Sequence, residues 1–423
     1  MQNLEITEEF KQAYNLINNT NYCVFITGNA GTGKTTFLNY CLTRLKKKTV
    51  TLATTGVAAL NCGGETVHSF FKFKPGTTVS KIKKRKNDKK TIYTIVETII
   101  IDEVSMLRAD ILDCIDRFLK LNRDKPHEPF GGVQMVFIGD LQQLPPVVTR
   151  DEKAIFESVY KSPYFLSAHS LNECMLYSIE LKKIYRQQDK NFIAILNSIR
   201  NGTVGDFELA KLNERVSQRV LEKGLNVYLT TTNKKASSVN NEYLTALPHK
   251  EFVFEAEAEN VEKYSDSIPA ELNLTIKKES QVMMLNNDSQ GRWVNGTIGK
   301  ICEIKTVEDS DKALIYVEFL NGRIEEIKPY KWDIFRHKWN EAEKMIEAEK
   351  VGYFKQYPIK LSWAVTIHKS QGKTFDNIIV DMEYGAFVPG QLYVALSRCT
   401  KLEGITLSRR IGKRDILAAK VKF

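Results

Sequence analysis

Four short runs in the first 180 residues are apolar without alternation, and helically spaced stretches lie between them. The runs are YCVFIT (22–27), TVTLATT (49–55), TIIID (98–102) and QMVFIG (134–139). Unbroken apolar character marks strands covered on both faces, as in parallel sheets. The stretches TTFLNYCLTRLKK and MLRADILDCIDRFLKL place apolar residues three and four apart, the spacing of a helix face. Strand and helix in alternation predict a doubly wound α/β layer. A second set, NVYLTTT (226–232), IKLSWAV (359–365), NIIVD (377–381) and GITLS (404–408), predicts another. The texture changes between about 250 and 355. Residues 250–280 are acid-rich, and short strands follow with turn signals at Asn287-Asp288, Asn295-Gly296 and Asn321-Gly322. They predict a small β-barrel or hairpin unit inserted in the second layer.

A length of 423 residues suits two or more domains. No apolar run reaches the roughly 18 residues of a membrane span, and MQNLEITEEF is too acidic and polar for a signal peptide. The seven cysteines include no C-x-x-C, and the six histidines no H-E-x-x-H. That argues against a zinc site or a disulfide framework and fits a reducing, intracellular setting. The net charge is +10. Nine basic residues against one acid between Lys72 and Lys90 supply +8 of it. So local an excess points to an electrostatic contact surface, with a solvated loop as the other reading.

GNAGTGKT fits G-x-x-x-x-G-K-[ST] between a predicted strand and a predicted helix. Gly28, Asn29, Ala30, Gly31, Thr32 and Gly33 would wrap a triphosphate with backbone N–H groups, with Lys34 as a mobile cation. Thr35 places a hydroxyl where Mg²⁺ would sit, and Thr36 continues the helix N-terminus. In IIIDEVSM, Asp102 and Glu103 end an apolar strand. The first suits Mg²⁺; the second suits orienting or deprotonating water, which favours hydrolysis over transfer to a bound small molecule.

GNAGTGKT, LATTGVAAL, VHSFF, IIIDEVSM, EPFGGVQMVFIGDLQQLPPV, LKKIYRQQD, LSWAVTIHKSQGKTFDNIIVD and QLYVALSRCT occur in this order. Together they resemble the motifs of superfamily 1B helicases, and specifically the Pif-type (petite-integration-frequency) DNA helicases, over about residues 20–408. The resemblance implies two RecA-like (P-loop NTPase) parallel-sheet domains, 1–177 and 178–423. ATP would lie in the cleft between them and single-stranded DNA would cross both. It implies a small wedge element inserted at 72–90 and an SH3-like β subdomain within the 250–355 insertion.

By the same resemblance, Gln143 couples the γ-phosphate to DNA, and Gln371 and Gly372 link DNA contact to the nucleotide. Arg186 and Arg398 act as arginine fingers. DNA contacts fall to Thr54, Thr55, His68, Phe70, Asn233, Thr366, His368 and Lys369, and at the wedge to Lys83, Lys84, Arg85 and Lys86. Phe70 and Phe71 fit core packing as well as base stacking, and so does Trp293. One departure stands out. The family glutamine that reads adenine in an E-Q-x-x-A setting is replaced by Phe10, with Gln12 two positions on.

The expected activity is an ATP- and Mg²⁺-dependent DNA helicase moving 5′-to-3′ on single strands. It would act as a monomer, with an oligomer on DNA as the other reading, on single-stranded, forked or structured DNA in the cytoplasm of a bacterial or phage-like system, in DNA replication, repair or telomere maintenance. A DNA-binding ATPase switch or clamp that separates no strands would use the same P-loop.

Overall fold

The computed structural model describes the chain except residues 1–5, 75, 86–91, 149, 188, 218–224, 260–269, 307–312, 341–344 and 420–423. Two compact units emerge, one built on the chain up to Arg186 and the other on most of the chain from Gln187 onward.

The first unit carries a six-stranded sheet of parallel strands: β1 (Cys23–Gly28), β2 (Thr49–Ala53), β3 (Glu65–Thr66), β4 (Thr98–Asp102), β5 (Gln134–Ile138) and β6 (Leu176–Leu181). Their order is β3-β2-β4-β5-β1-β6. All four predicted strands are there, and β1 and β5 are buried along their whole length, as their unbroken apolar pattern requires. Helix α1 (Glu8–Asn19) is capped by Thr7 and buries Phe10, Ala13 and Ile17 against the same core.

The expected boundary after residue 177 is corrected, because it falls inside β6. That strand pairs with β1 from Cys23↔Leu176 to Gly28↔Leu181 and belongs to the first sheet. Its sequence conceals this: an edge strand half open to water lacks the continuous apolar run of its neighbours.

The second unit holds a four-stranded parallel sheet in the order Ala364–Thr366, Val227–Thr230, Ile378–Asp381, Ile405–Leu407. A five-stranded antiparallel sheet supplies the expected small β subdomain. Its strands are Gln281–Met284, Ile298–Thr306, Ala313–Phe319, Ile324–Ile327 and Ile359–Leu361. Asn321 and Gly322 make the turn between the third and fourth of these, with Gly322 at φ 75°. IKLSWAV is not one strand. Residues Ile359–Leu361 pair with Gln281–Met284, and Ala364–Thr366 pair with Val227–Thr230, so one extended run serves both sheets. Apolar periodicity cannot show such a transfer, since both sheets bury the run.

Candidate functional site

β1 ends at Gly28 and the helix α2 (Lys34–Leu42) begins six residues on. A side chain at Gly28 would put its Cβ 2.6 Å from both the Leu181 carbonyl oxygen and Thr32 Oγ1, so only glycine lets the loop turn there. Thr32 hydrogen bonds back to the Asn29 carbonyl through Oγ1 at 2.9 Å. Gly33 caps α2 in the left-handed region at φ 83° and brings no side-chain acceptor. The first-turn N–H groups of α2 thus have no cap from the residue before them, the condition for an anion site at a helix start.

Lys34 Nζ donates to the carbonyls of Gly28 (2.7 Å) and Asn29 (2.9 Å). Burial pulls its ammonium below the ordinary lysine value, against the attraction of Asp140, Glu103 and Asp102, while Arg186 adds to the lowering. The first unit therefore gathers Lys34, Asp102, Glu103, Asp140 and Arg186 into one electrostatic neighbourhood.

Asp102 Oδ1 accepts the Glu103 N–H at 2.8 Å. Burial, and then the Glu103 carboxylate, push Asp102 up to about 7. A divalent cation would restore its charge, and the Thr35 hydroxyl is exposed at the start of α2. No group of three His, Cys, Asp or Glu among the described residues could hold a metal unaided. The donors thus fit Mg²⁺ bound by one carboxylate, one hydroxyl and substrate phosphates.

Glu103 sits at φ 51°, ψ 42°. A non-glycine residue in that region is strained by roughly 1–3 kcal/mol and persists only where its surroundings over-determine it. One support is Thr54, whose hydroxyl donates to the Glu103 carbonyl at 3.0 Å. Sequence reasoning assigned Thr54 to DNA and missed this bond, which no motif announces.

Gln143 is buried, and its N–H donates to the Asp140 carbonyl at 2.9 Å. Arg186 follows Tyr185, whose N–H donates to the Gly31 carbonyl at 2.9 Å. A Cβ on Gly33 would stand 3.7 Å from the Tyr185 ring and 3.9 Å from Phe10. Both rings therefore border the loop. Tyr185 was missed, although its place beside Arg186 in IYRQ is the signal that could have found it.

In the second unit Arg398 is 1% exposed. It donates to the carbonyls of Val394 (2.9 Å), Lys373 (3.2 Å) and Ser370 (3.4 Å) and to Ser397 Oγ (2.8 Å). These bonds tie the Gln391–Leu396 helix to the loop carrying Gln371 and Gly372, so in this conformation Arg398 clamps that loop.

Among residues assigned to DNA, His68, Asn233, Lys369, Lys83 and Lys84 are exposed, and Thr55 and His368 are half-buried. Thr366 is buried, and its Oγ1 accepts the Lys369 N–H at 3.3 Å. Burial lowers His368 from the ordinary imidazole value.

Base stacking by Phe70 is corrected. The ring meets Phe71 and Tyr93 in T-shaped contacts at 4.9 and 5.3 Å and is only 3% exposed, which leaves no face open to a base. Trp293 is likewise core, its Nε1 donating to Asn286 Oδ1 at 3.0 Å. Arg85 is pinned to the protein. Its N–H donates to Asn122 Oδ1 at 3.0 Å, and its guanidinium lies over Tyr93 and Phe118 at 5.8 and 5.6 Å. Lys84 pairs with Asp124. Lys86 lies outside the described residues. The basic window thus presents less free charge than its composition promised.

The family model described as PIF1-like helicase matches residues 5–209. The chain is 33% identical to the ATP-dependent DNA helicase PIF1 of Xenopus laevis over 90% of its own length, and spans 58% of that relative. It is 31% identical to the ATP-dependent DNA helicase Pif1 of Bdellovibrio bacteriovorus, covering 96% of this chain and 88% of that one. Among solved structures, Pif1 from Bacteroides sp in complex with ADP-AlF4 superposes with a TM-score of 0.87 at 36% identity, covering 99% and 95% of the two chains. Bacteroides Pif1 bound to ssDNA gives 0.71 at 36% identity, with the same coverage.

Proposed function

The chain belongs to the PIF1-like helicase family, and from that premise we propose that it is an ATP-dependent DNA helicase. It moves 5′-to-3′ along single-stranded DNA and opens duplex or forked DNA. The observation that carries the reading is the strained Glu103, held beside Asp102 and within the electrostatic reach of Lys34.

The backbone of Gly28–Gly33, with Lys34 and the first turn of α2 including Thr36, binds the triphosphate. Thr35 and Asp102 would hold Mg²⁺, which supplies charge neutralisation at the phosphates. Glu103 takes the proton of the attacking water. Gln143 contacts the γ-phosphate, and Arg186 and Arg398 neutralise charge spreading over the transferred phosphoryl. Thr55, His68, Asn233, His368 and Lys369 meet the DNA strand, and Gly372 relays the contact. The proposed setting is the bacterial cytoplasm, which the bacterial relatives support.

Paired substrates carrying either a 5′ or a 3′ single-stranded tail test the proposal. Strand displacement is expected only with the 5′ tail. Displacement only with the 3′ tail overturns the polarity, and DNA-stimulated ATP hydrolysis with no displacement on either substrate selects a clamp. Lys34→Ala is expected to lose nucleotide binding, read by equilibrium dialysis with labelled ATP.

At the wedge, the double variant Lys83→Ala/Lys84→Ala is expected to flatten the slope of log affinity against log salt by up to about 1.8 on duplex DNA, roughly 0.9 per phosphate contact. Arg85→Ala should instead lower the melting temperature, since that side chain is bound to the protein. A salt slope equal to the parent's in the double variant returns the window to a solvated loop.

A further inference from the structure

The four parallel strands of the second unit release their C-terminal ends along one edge of the sheet. Asp381 is level with Thr230, and Thr366 lies on the other side of Thr230. Tyr384 comes three residues after Asp381, as Asn233 does after Thr230. Tyr384 is 99% exposed. A tyrosine ring open on both faces is free to stack on a planar ligand.

The segment beneath the ring is firmly held. Glu383 lies at φ 46°, a strained position for a glutamate. Its carboxylate accepts from Thr231 Oγ1 (2.5 Å), Thr232 Oγ1 (3.1 Å) and Thr232 N (3.2 Å). Its carbonyl accepts from Arg409 Nε at 2.9 Å, and its N–H donates to Asp381 Oδ1 at 3.0 Å. Arg409 is in turn clamped by Asp415, through bonds of 2.9 and 2.7 Å. The Gly385 N–H closes the turn on the Met382 carbonyl at 2.7 Å. A strained residue and a set of part-buried bonds therefore hold the segment that carries this open ring.

The flanking segments add the second half of the chemistry. Lys234 follows the neighbouring strand, and Arg410 and Arg414 follow the next one; all three are exposed. An open ring on a held segment, with exposed cations following both neighbouring strands, suits a nucleobase with phosphates on either side.

We propose that Tyr384 is a stacking platform for one base of the single-stranded DNA, a contact that rests on the helicase reading above. Stacking on a ring is tolerant of sequence, because every base has a π-face. It also releases no counterions, which separates it from the lysine contacts.

The test measures binding of a short fluorescent oligothymidylate by anisotropy across a salt series, without nucleotide. Tyr384→Ala is expected to weaken binding about tenfold with an unchanged salt slope, while Tyr384→Phe stays within about twofold, since the ring and not the hydroxyl makes the contact. On an oligonucleotide of abasic sites the deficit of the Ala variant should vanish. Equal affinity of Tyr384→Ala and parent for the intact oligonucleotide overturns the proposal. So does a loss confined to nucleotide affinity, which would assign the ring to the ATP base. If the parent itself fails to bind the oligonucleotide, the helicase reading falls and this contact with it.

Discussion

Glu103→Gln is expected to bind ATP and single-stranded DNA as the parent does, while turnover falls by about two to four orders of magnitude. The amide keeps the size of the side chain and leaves the backbone at the same left-handed angles, so the site geometry survives. It has no basicity at neutral pH, so water must be deprotonated without help. General base catalysis is worth roughly 10²–10⁴-fold, or about 3–5 kcal/mol of barrier. Single-turnover hydrolysis at saturating ATP and DNA is the measurement. Near-parental rates would remove Glu103 from its role and leave the strain at this position unexplained.

Arg398→Ala is expected to reduce ATP turnover about 10³-fold, the scale of an arginine finger, and also to lower thermal stability. The second effect follows from where the guanidinium sits. Removing it leaves buried carbonyls of Val394, Ser370 and Lys373 without this donor. Each such loss costs roughly 1–3 kcal/mol when water cannot replace the donor. Arg398→Lys would restore one donor but not the fork, and should recover part of the stability and little of the turnover. The two readouts separate the roles: a fall in melting temperature alone, with parental turnover, makes Arg398 a clamp of the 370–373 loop and nothing more.

The parts of the site that were legible in the sequence are those built from local chain. GNAGTGKT was plain because its glycines, set between a strand and a helix, mark a turn of the kind that can carry backbone N–H groups to phosphates. Asp102 and Glu103 were equally plain, ending a strand of isoleucines. What could not be read depends on distant partners. Phe70 sits in a motif that the resemblance assigns to DNA, but Tyr93 and Phe118, far along the chain, complete an aromatic cluster around it and Phe71. Arg85 looked like surface charge until Asn122 and Tyr93 closed on it. The bond from Thr54 to Glu103 joins residues 49 positions apart. The strand β6 escaped because half of its residues face water, and its pairing with β1 is a property of the sheet.

The run from Ile359 to Thr366 has a mechanical consequence. Three of its residues are laced into the antiparallel sheet and three into the parallel one, with only Ser362 and Trp363 between. Those two are buried and bonded on both sides: the Ser362 N–H donates to the Gln281 carbonyl at 3.0 Å, and the Trp363 carbonyl accepts from the Tyr228 N–H at 2.7 Å. Gln281 then reaches across to the Asn226 and Ser362 carbonyls. There is no slack at this joint. A load applied to the small sheet passes along the strand and is carried by its ladders in shear, where many hydrogen bonds must yield together, rather than by peeling one bond at a time. Within the second unit the β subdomain is therefore a stiff outrigger of the parallel sheet, and a pull on one is felt by the other without lost motion.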